Sequence, residues 1–294
     1  MSLKEILQKA VETKTAIGHF NISNWEGIKA IFEVCEETKK PVIIGVSESE
    51  AEFFGIENVA VLVKSFRERT GLEIFLNADH FKDLNKVKQA AEADFDSILF
   101  DASTPLGISS AQESLEENIK KTKQAVELVK SINFNILVEG ELGYIGVGSV
   151  VRESVPEGAV IEESRMIKPE EAKKFVDETG VSLIGPGVGN IHGIVKNYKE
   201  NISFKRISEI KNATRANLVL HGASGIDDES LKQAIEAGIS VVHVNTELRL
   251  AWKNSLQKSL ADNVDEIAPY KVLKSSVAAI KKVILEKISI FNGK

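Results

Sequence analysis

Short apolar runs alternate with longer segments of helical periodicity along nearly the whole chain. The strand-like runs are AIGHF (16–20), PVIIGVS (41–47), LEIFLNA (72–78), SILFDAS (97–103), NILVEGE (135–141), VSLIGPG (181–187), NLVLHG (217–222) and SVVHVN (240–245). Between them lie amphipathic segments such as WEGIKAIFEVCEETKK, LNKVKQAAEA, SLEENIKKTKQAVELVKSI, KPEEAKKFVDETG and DDESLKQAIEAG. Several open on an acidic or capping residue and stop at a glycine, as helices do. Regular alternation of strands with helices predicts parallel β-α-β units. Eight such units predict an α/β architecture of the (β/α)8 TIM-barrel type rather than a doubly wound sheet. No composition break divides the chain, so residues 1–294 are expected to form one barrel domain. A helical extension is expected from about residue 249, made of LRLAWKNSLQKSLAD and KVLKSSVAAIKKVILEKI. The second of these is strongly amphipathic, suited to closing the barrel or to a subunit contact. One stretch breaks the rhythm: residues 144–168, rich in glycine and acids, follow the fifth run. A loop that long inside a compact domain is a functional lid or is disordered.

Composition narrows the class. With 43% hydrophobic and 27% charged residues over 294 positions, the chain is an ordinary globular sequence able to build a full core. Its net charge of −6 argues against nucleic-acid binding, which calls for a basic face, and leaves small anions open. No run approaches the ~18 apolar residues of a membrane span, and the N-terminal MSLKEILQKAVE is an amphipathic helix start without an apolar signal core. The single Cys35 excludes an intramolecular disulfide and fits a reducing, cytoplasmic location. It lies in the helical pattern AIFEVCEET, as a small packing hydrophobe rather than a nucleophile.

The candidate chemistry sits at the ends of the strand-like runs, where barrel enzymes carry their active sites. Asp79-His80, Asp101 with Ser103, Glu139 with Glu141, Asn190-Ile191-His192-Gly193, His221-Gly222-Ala223-Ser224-Gly225, and His243 with Asn245 all fall there. His19 lies in the first run without a supporting motif. Imidazole is the commonest zinc ligand, and three imidazoles with an open position are the form of a catalytic zinc site. Because neighbouring strand residues point to opposite faces, one of Asp79 and His80 is expected to ligate while the other faces elsewhere; Asp79 then becomes a general acid or base near the metal. Glu139 and Glu141, two apart, both point into the barrel mouth, where a second metal, a polar relay or a structural ion-pair network must compensate them. A separate signal is for phosphate. Gly193 and Lys196 follow the sixth run, Gly222 and Ser224 the seventh, and Thr246 the eighth. Glycines admit backbone N–H groups to an anion, hydroxyls add donors, and Lys196 adds charge.

LNADH, FDAS with SLEENIKKT, LVEGELG, GNIHG and VLHGASG stand in an order and spacing that carry a family resemblance. The chain resembles the class II, metal-dependent fructose-bisphosphate aldolases, or more broadly the ketose-bisphosphate aldolases, from GHFNISNWEGIKAI to Thr246-Glu247-Leu248-Arg249. The resemblance implies Zn²⁺, or Co²⁺ or Fe²⁺ in its place, on His80, His192 and His221, polarising dihydroxyacetone phosphate as a Lewis acid. It implies that Asp79 takes the C4-hydroxyl proton in cleavage and returns it in condensation. Asp101 and Glu141 match positions that hold a second or displaced metal in relatives. Gly193, Lys196, Gly222, Ser224 and Thr246 would hold the ketone-side phosphate, and Arg249 matches an arginine that binds the distal phosphate across a subunit boundary. A small phosphorylated sugar and a homodimer or homotetramer follow as expected partners.

Departures from the family pattern bear on substrate. His243 replaces an asparagine that touches the ketone-side atoms, and Asn245 replaces a residue, often aspartate, that chooses between sugar epimers. Ala268-Pro269-Tyr270 stands for Asp-Pro-Arg, Val195 for a tyrosine, and HGASG has alanine where glycine is usual. After ELG the usual acids are replaced by Gly146-Val147-Gly148-Ser149, which leaves Glu153, Glu157, Glu162 and Glu163 as candidates for a base.

Overall fold

The computed structural model describes residues 1–103, 111–159 and 161–293, with backbone alone for 111–113. Among the described residues ten strands form: β1 Ile17–Asn21, β2 Val42–Ser47, β3 Ile74–Phe81, β4 Ser97–Phe100, β5 Leu137–Leu142, β6 Val151–Arg152, β7 Leu183–Pro186, β8 Ile194–Val195, β9 Asn217–Leu220 and β10 Ile239–Val244. Eight of them close into a barrel in the order β1-β10-β9-β7-β5-β4-β3-β2, all parallel and joined through helices. This is the (β/α)8 TIM barrel that the alternation predicts. The strands are buried on both faces, which is why they read as apolar runs rather than as strict alternation.

The N-terminal end of the barrel is plugged. Helix Leu3–Thr13 starts on a capping box between Ser2 and Glu5, which satisfies two of the first orphan N–H groups. Its apolar stripe (Leu3, Ile6, Leu7 and Ala10) packs on one inward residue from each of seven strands, among them Ile17, Phe75 and Val241. That contact closes one end and leaves the other as the open mouth. On the outside, helix Pro169–Thr179 docks against β5 where Gly140 has no side chain; a Cβ there would lie 2.6 Å from the Phe175 ring. Phe175 is fully buried, so Phe175→Ala should cost about 3–5 kcal/mol by chemical denaturation. A loss below the error of the measurement would show that the site collapses around the gap. Cys35 lies fully buried in helix Trp25–Thr38, and burial pushes its thiol up to about 12. Native protein at pH 8 should therefore resist alkylation until denatured; rapid modification of folded protein would contradict this.

Two features differ from the expected pattern. The stretch after β5 is not structureless: β6 pairs in parallel with β8, forming a small second sheet, and Glu163–Arg165 makes a 3-10 turn. The tail is three helices, Thr246–Asp262, Pro269–Val272 and Lys274–Phe291. The last buries Ile280, Ile284, Ile288 and Phe291 against the barrel, and the Phe291 carbonyl accepts the Ala16 N–H just before β1.

Candidate active site

The C-terminal strand ends surround a cavity of about 280 Å³ lined by Asp79, His80, Asp101, His192, His221 and His243. Gly193, Gly222, Ser224, Asn245, Thr246 and Arg249 line the same cavity. A larger hollow of about 840 Å³ lies at the other end of the barrel, near Leu3, Asp96 and Asn217, and none of the histidines line it.

The three imidazoles converge. Ring centroids lie 4.7 Å apart for His80 and His192, 4.8 Å for His80 and His221, and 5.9 Å for His192 and His221. Each ring commits one nitrogen to an acceptor behind it. His80 Nδ1 faces Asp101 Oδ2 at 3.2 Å and Glu141 Oε2 at 3.3 Å. His221 Nε2 lies in hydrogen-bond contact with Glu139 Oε1 at 2.7 Å, and His192 Nδ1 donates to the Gly146 carbonyl at 2.9 Å. Such outer partners fix the tautomer and orient metal-binding rings. The nitrogens left over are His80 Nε2, His221 Nδ1 and His192 Nε2; the first two are buried without a hydrogen-bond partner, His80 Nε2 lying 3.7 Å from Asp79 Oδ1. One ligand atom from each ring falls within a common 4.8 Å. Ring nitrogens this close together, two of them buried orphans, fit a divalent cation, whose coordination would satisfy all three.

Charge fits as well. Asp79, Asp101, Glu139 and Glu141 are all buried around these rings. Burial and the neighbouring Asp101 push the Glu141 carboxyl up to about 8, and burial and Asp79 raise Glu139 well above its ordinary value. Burial lowers His192 to about 4 and His221 well below the usual range, so both stay neutral as ligands must. Burial opposes charge on His80, yet Asp79, Glu141 and Asp101 outweigh it and raise the imidazole to about 10. A divalent ion at Nε2 would take the place of that proton and balance the same carboxylates.

Strict alternation fails at the end of β3. His80 adopts a left-handed backbone with φ 54°, and the register to β4 shifts between Ala78 and Phe81. Asp79 and His80 therefore both face the cavity, whereas alternation alone would have turned one away. Asp79 Oδ2 accepts from Asn21 Nδ2 at 2.8 Å, while Oδ1 has no hydrogen-bond partner and lies 3.4 Å from His243 Nδ1. Burial raises the Asp79 carboxyl, but His80, His243 and His19 together overcome it and hold the group well below the usual range. The backbone is equally shaped at Gly222, with φ +66° and a would-be Cβ 2.2 Å from the Ile191 carbonyl; only glycine fits there. Ser224 Oγ accepts the N–H groups of Asn245 and Glu247 at 3.3 Å, joining the turns after β9 and β10.

Several residues land elsewhere than the sequence suggests. Lys196 does not line the cavity: β8 pairs with β6, and its ammonium meets Glu153 at 2.6 Å on the outside. Glu153, Glu157, Glu162 and Glu163 are exposed, and the loop residues lining the cavity are 146–149. Arg249 donates to the chain's own Glu50 at 2.6 Å and to the Ser149 carbonyl at 3.4 Å. Asp101 and Glu141 share Ser103 Oγ, at 2.6 and 3.2 Å, and with His80 form a second group able to hold a cation. His19, without a motif, backs the cavity without lining it: β1 pairs with β10 so that His19 opposes His243, and the rings stack at 3.4 Å, 2° from parallel. Its Nε2 lies 3.1 Å from Asn77 Oδ1. Asn21, Ser47 and Ser49 also line the cavity. The Asn21 signal was a polar residue closing an apolar run; Ser47 carried the Ser-x-x-Glu capping-box pattern.

The family model "Fructose-bisphosphate aldolase class-II" matches residues 1–294. A fructose-bisphosphate aldolase of Geobacillus stearothermophilus is 33% identical over 296 residues, covering 100% of this chain and 97% of that one. A 6-phospho-5-dehydro-2-deoxy-D-gluconate aldolase of Bacillus licheniformis is 31% identical, covering 100% and 95%. Among solved structures, the YdjI aldolase of Escherichia coli superposes with a TM-score of 0.78 at 26% identity, covering 99% of this chain and 96% of that one.

Proposed function

This chain belongs to the class II fructose-bisphosphate aldolase family, lyases that make and break carbon–carbon bonds, and on that premise we propose that it runs a metal-dependent aldol reaction on a ketose phosphate. The observation that carries this reading is the convergence of three imidazoles whose second nitrogens are all held from behind. His80, His192 and His221 would hold Zn²⁺, with Co²⁺ or Fe²⁺ as substitutes; bound there, the ion supplies Lewis acidity at the ketone-side oxygens. The glycine turns at Gly193 and Gly222, with Ser224 and Thr246, offer donors to the ketone-side phosphate. Asp79 stands within the cavity as an ionised carboxylate. In cleavage it takes the C4-hydroxyl proton, C4 becomes an aldehyde, and the C3–C4 bonding pair stays with the dihydroxyacetone phosphate half. In condensation it returns the proton. His243, packed between His19 and Asp79, fills the place beside the reacting carbons and bears on the choice of sugar.

Fructose 1,6-bisphosphate is the reference substrate, with tagatose bisphosphate or another acceptor aldehyde as variants of the same chemistry. A homodimer or homotetramer goes with this reading, and the lone buried Cys35 supports a cytoplasmic location. The test is cleavage of the two epimeric bisphosphates by one metal-analysed sample. Two carbonyl fragments are expected, with no free phosphate; release of phosphate without fragments would replace the aldolase reading by a hydrolase.

A further inference from the structure

One buried carboxylate beside the cavity takes no part in this chemistry. Glu50 is 6% exposed and stands just behind the wall, in helix Glu48–Phe54. Its Oε1 accepts Ser23 Oγ and Arg249 Nη2, each at 2.6 Å; its Oε2 accepts the Ser47 N–H at 2.8 Å and Asn21 Nδ2 at 3.4 Å. The Ser47 contact belongs to the helix capping box. Local capping does not account for the other three, which arrive from the segment at the end of β1 and from a helix some two hundred residues away.

A guanidinium, a backbone N–H, a hydroxyl and an amide converging on one point are what an anion needs. Asn21, Ser47 and Arg249 also line the cavity, from the ends of β1 and β2 and the helix after β10 rather than from the glycine turns after β7 and β9. The chain has filled this place with its own carboxylate. Lys82, the other Lys or Arg lining the cavity among the described residues, is engaged in the same way, 3.2 Å from Asp101. A second phosphate entering here would have to strip Glu50 of Arg249 and sit against a buried like charge.

We propose that Glu50 is a specificity-determining residue that occupies the anion subsite at this end of the cavity, so that a substrate uncharged at the end remote from the ketone-side phosphate is preferred over a bisphosphate. Resting on the aldolase reading above, this makes the preferred acceptor a hydroxylated, unphosphorylated aldehyde, with the Ser47 and Ser49 hydroxyls available to its own.

The test uses metal-loaded full-length protein, dihydroxyacetone phosphate as donor, and glyceraldehyde against glyceraldehyde 3-phosphate as acceptors. Wild type should favour glyceraldehyde by roughly tenfold or more in kcat/KM, given the cost of like charges brought together. Glu50→Gln, which keeps a capping-box residue, should move the ratio toward the phosphorylated aldehyde, mainly through KM. Calorimetric titration with inorganic phosphate should give Glu50→Gln one more binding site than wild type. A wild-type preference for the phosphorylated aldehyde overturns the proposal, with no variant required. An unchanged ratio and phosphate stoichiometry in Glu50→Gln overturn it too. If neither aldehyde reacts but the extra phosphate site appears, the aldolase reading fails while the assignment of Glu50 stands.

Discussion

Replacing Asp79 by alanine is expected to lower kcat for cleavage by roughly a hundred- to ten-thousand-fold, the range a single general acid–base group contributes. Metal content per chain should stay at the wild-type value, because the proposed ligands are three imidazoles and their orienting partners are Asp101, Glu141, Glu139 and the Gly146 carbonyl. The reason for so large an effect is position. Asn21 holds one Asp79 oxygen at 2.8 Å, and the other is buried with no hydrogen bond. The surrounding imidazoles keep the group ionised despite its burial, leaving a carboxylate with one oxygen free for a hydroxyl proton. Asp79→Asn should fail nearly as badly, since it keeps the shape and loses the proton acceptor. Both variants should still exchange the C3 proton of dihydroxyacetone phosphate, a step that does not involve the C4 oxygen. Single-turnover cleavage with elemental analysis checks this; near-normal turnover in a fully loaded Asp79→Ala would refute the role.

Removing the metal with a chelator should abolish cleavage, and adding Zn²⁺ or Co²⁺ should restore it. Folding stability should fall in parallel. A ligand present at a thousandfold over its Kd stabilises the native state by about 4 kcal/mol, and its loss here leaves the buried Asp79, Asp101, Glu139 and Glu141 to be compensated by protons on His80 and Glu141 instead. A lower Tm of the metal-free protein, recovered on reloading, is the expected readout. Cleavage that persists when elemental analysis finds no metal would sink the metal-dependent reading, whatever the Tm does.

The barrel was legible because its cause is periodic and local. Runs such as LEIFLNA and SVVHVN are apolar throughout since both faces of a barrel strand are covered, and glycine stops mark the helices between them. The three imidazoles were legible for a related reason. In a barrel the strand ends share one mouth, so a histidine just past a strand end is delivered there whatever the neighbours are. Glu139 and Glu141 followed from a spacing of two, and both turn inward as that spacing requires.

What tertiary structure decided lies wherever direction or partner is set by closure rather than by sequence neighbours. Alternation sends Asp79 and His80 apart; the left-handed turn at His80 and the shifted register beside β4 bring both inward. His19 carries no motif, and becomes the stacking partner of His243 only because closing the barrel sets β1 against β10. Lys196 follows a promising turn, yet the pairing of β6 with β8 carries its ammonium outside to Glu153. Glu50 reads locally as a capping residue, and becomes an internal counter-anion because Arg249, far along the chain, folds back onto it. Periodicity is written in neighbouring residues and so survives in the sequence; strand pairing, side-chain direction at a bulge and long-range ion pairs come into being only when the barrel closes.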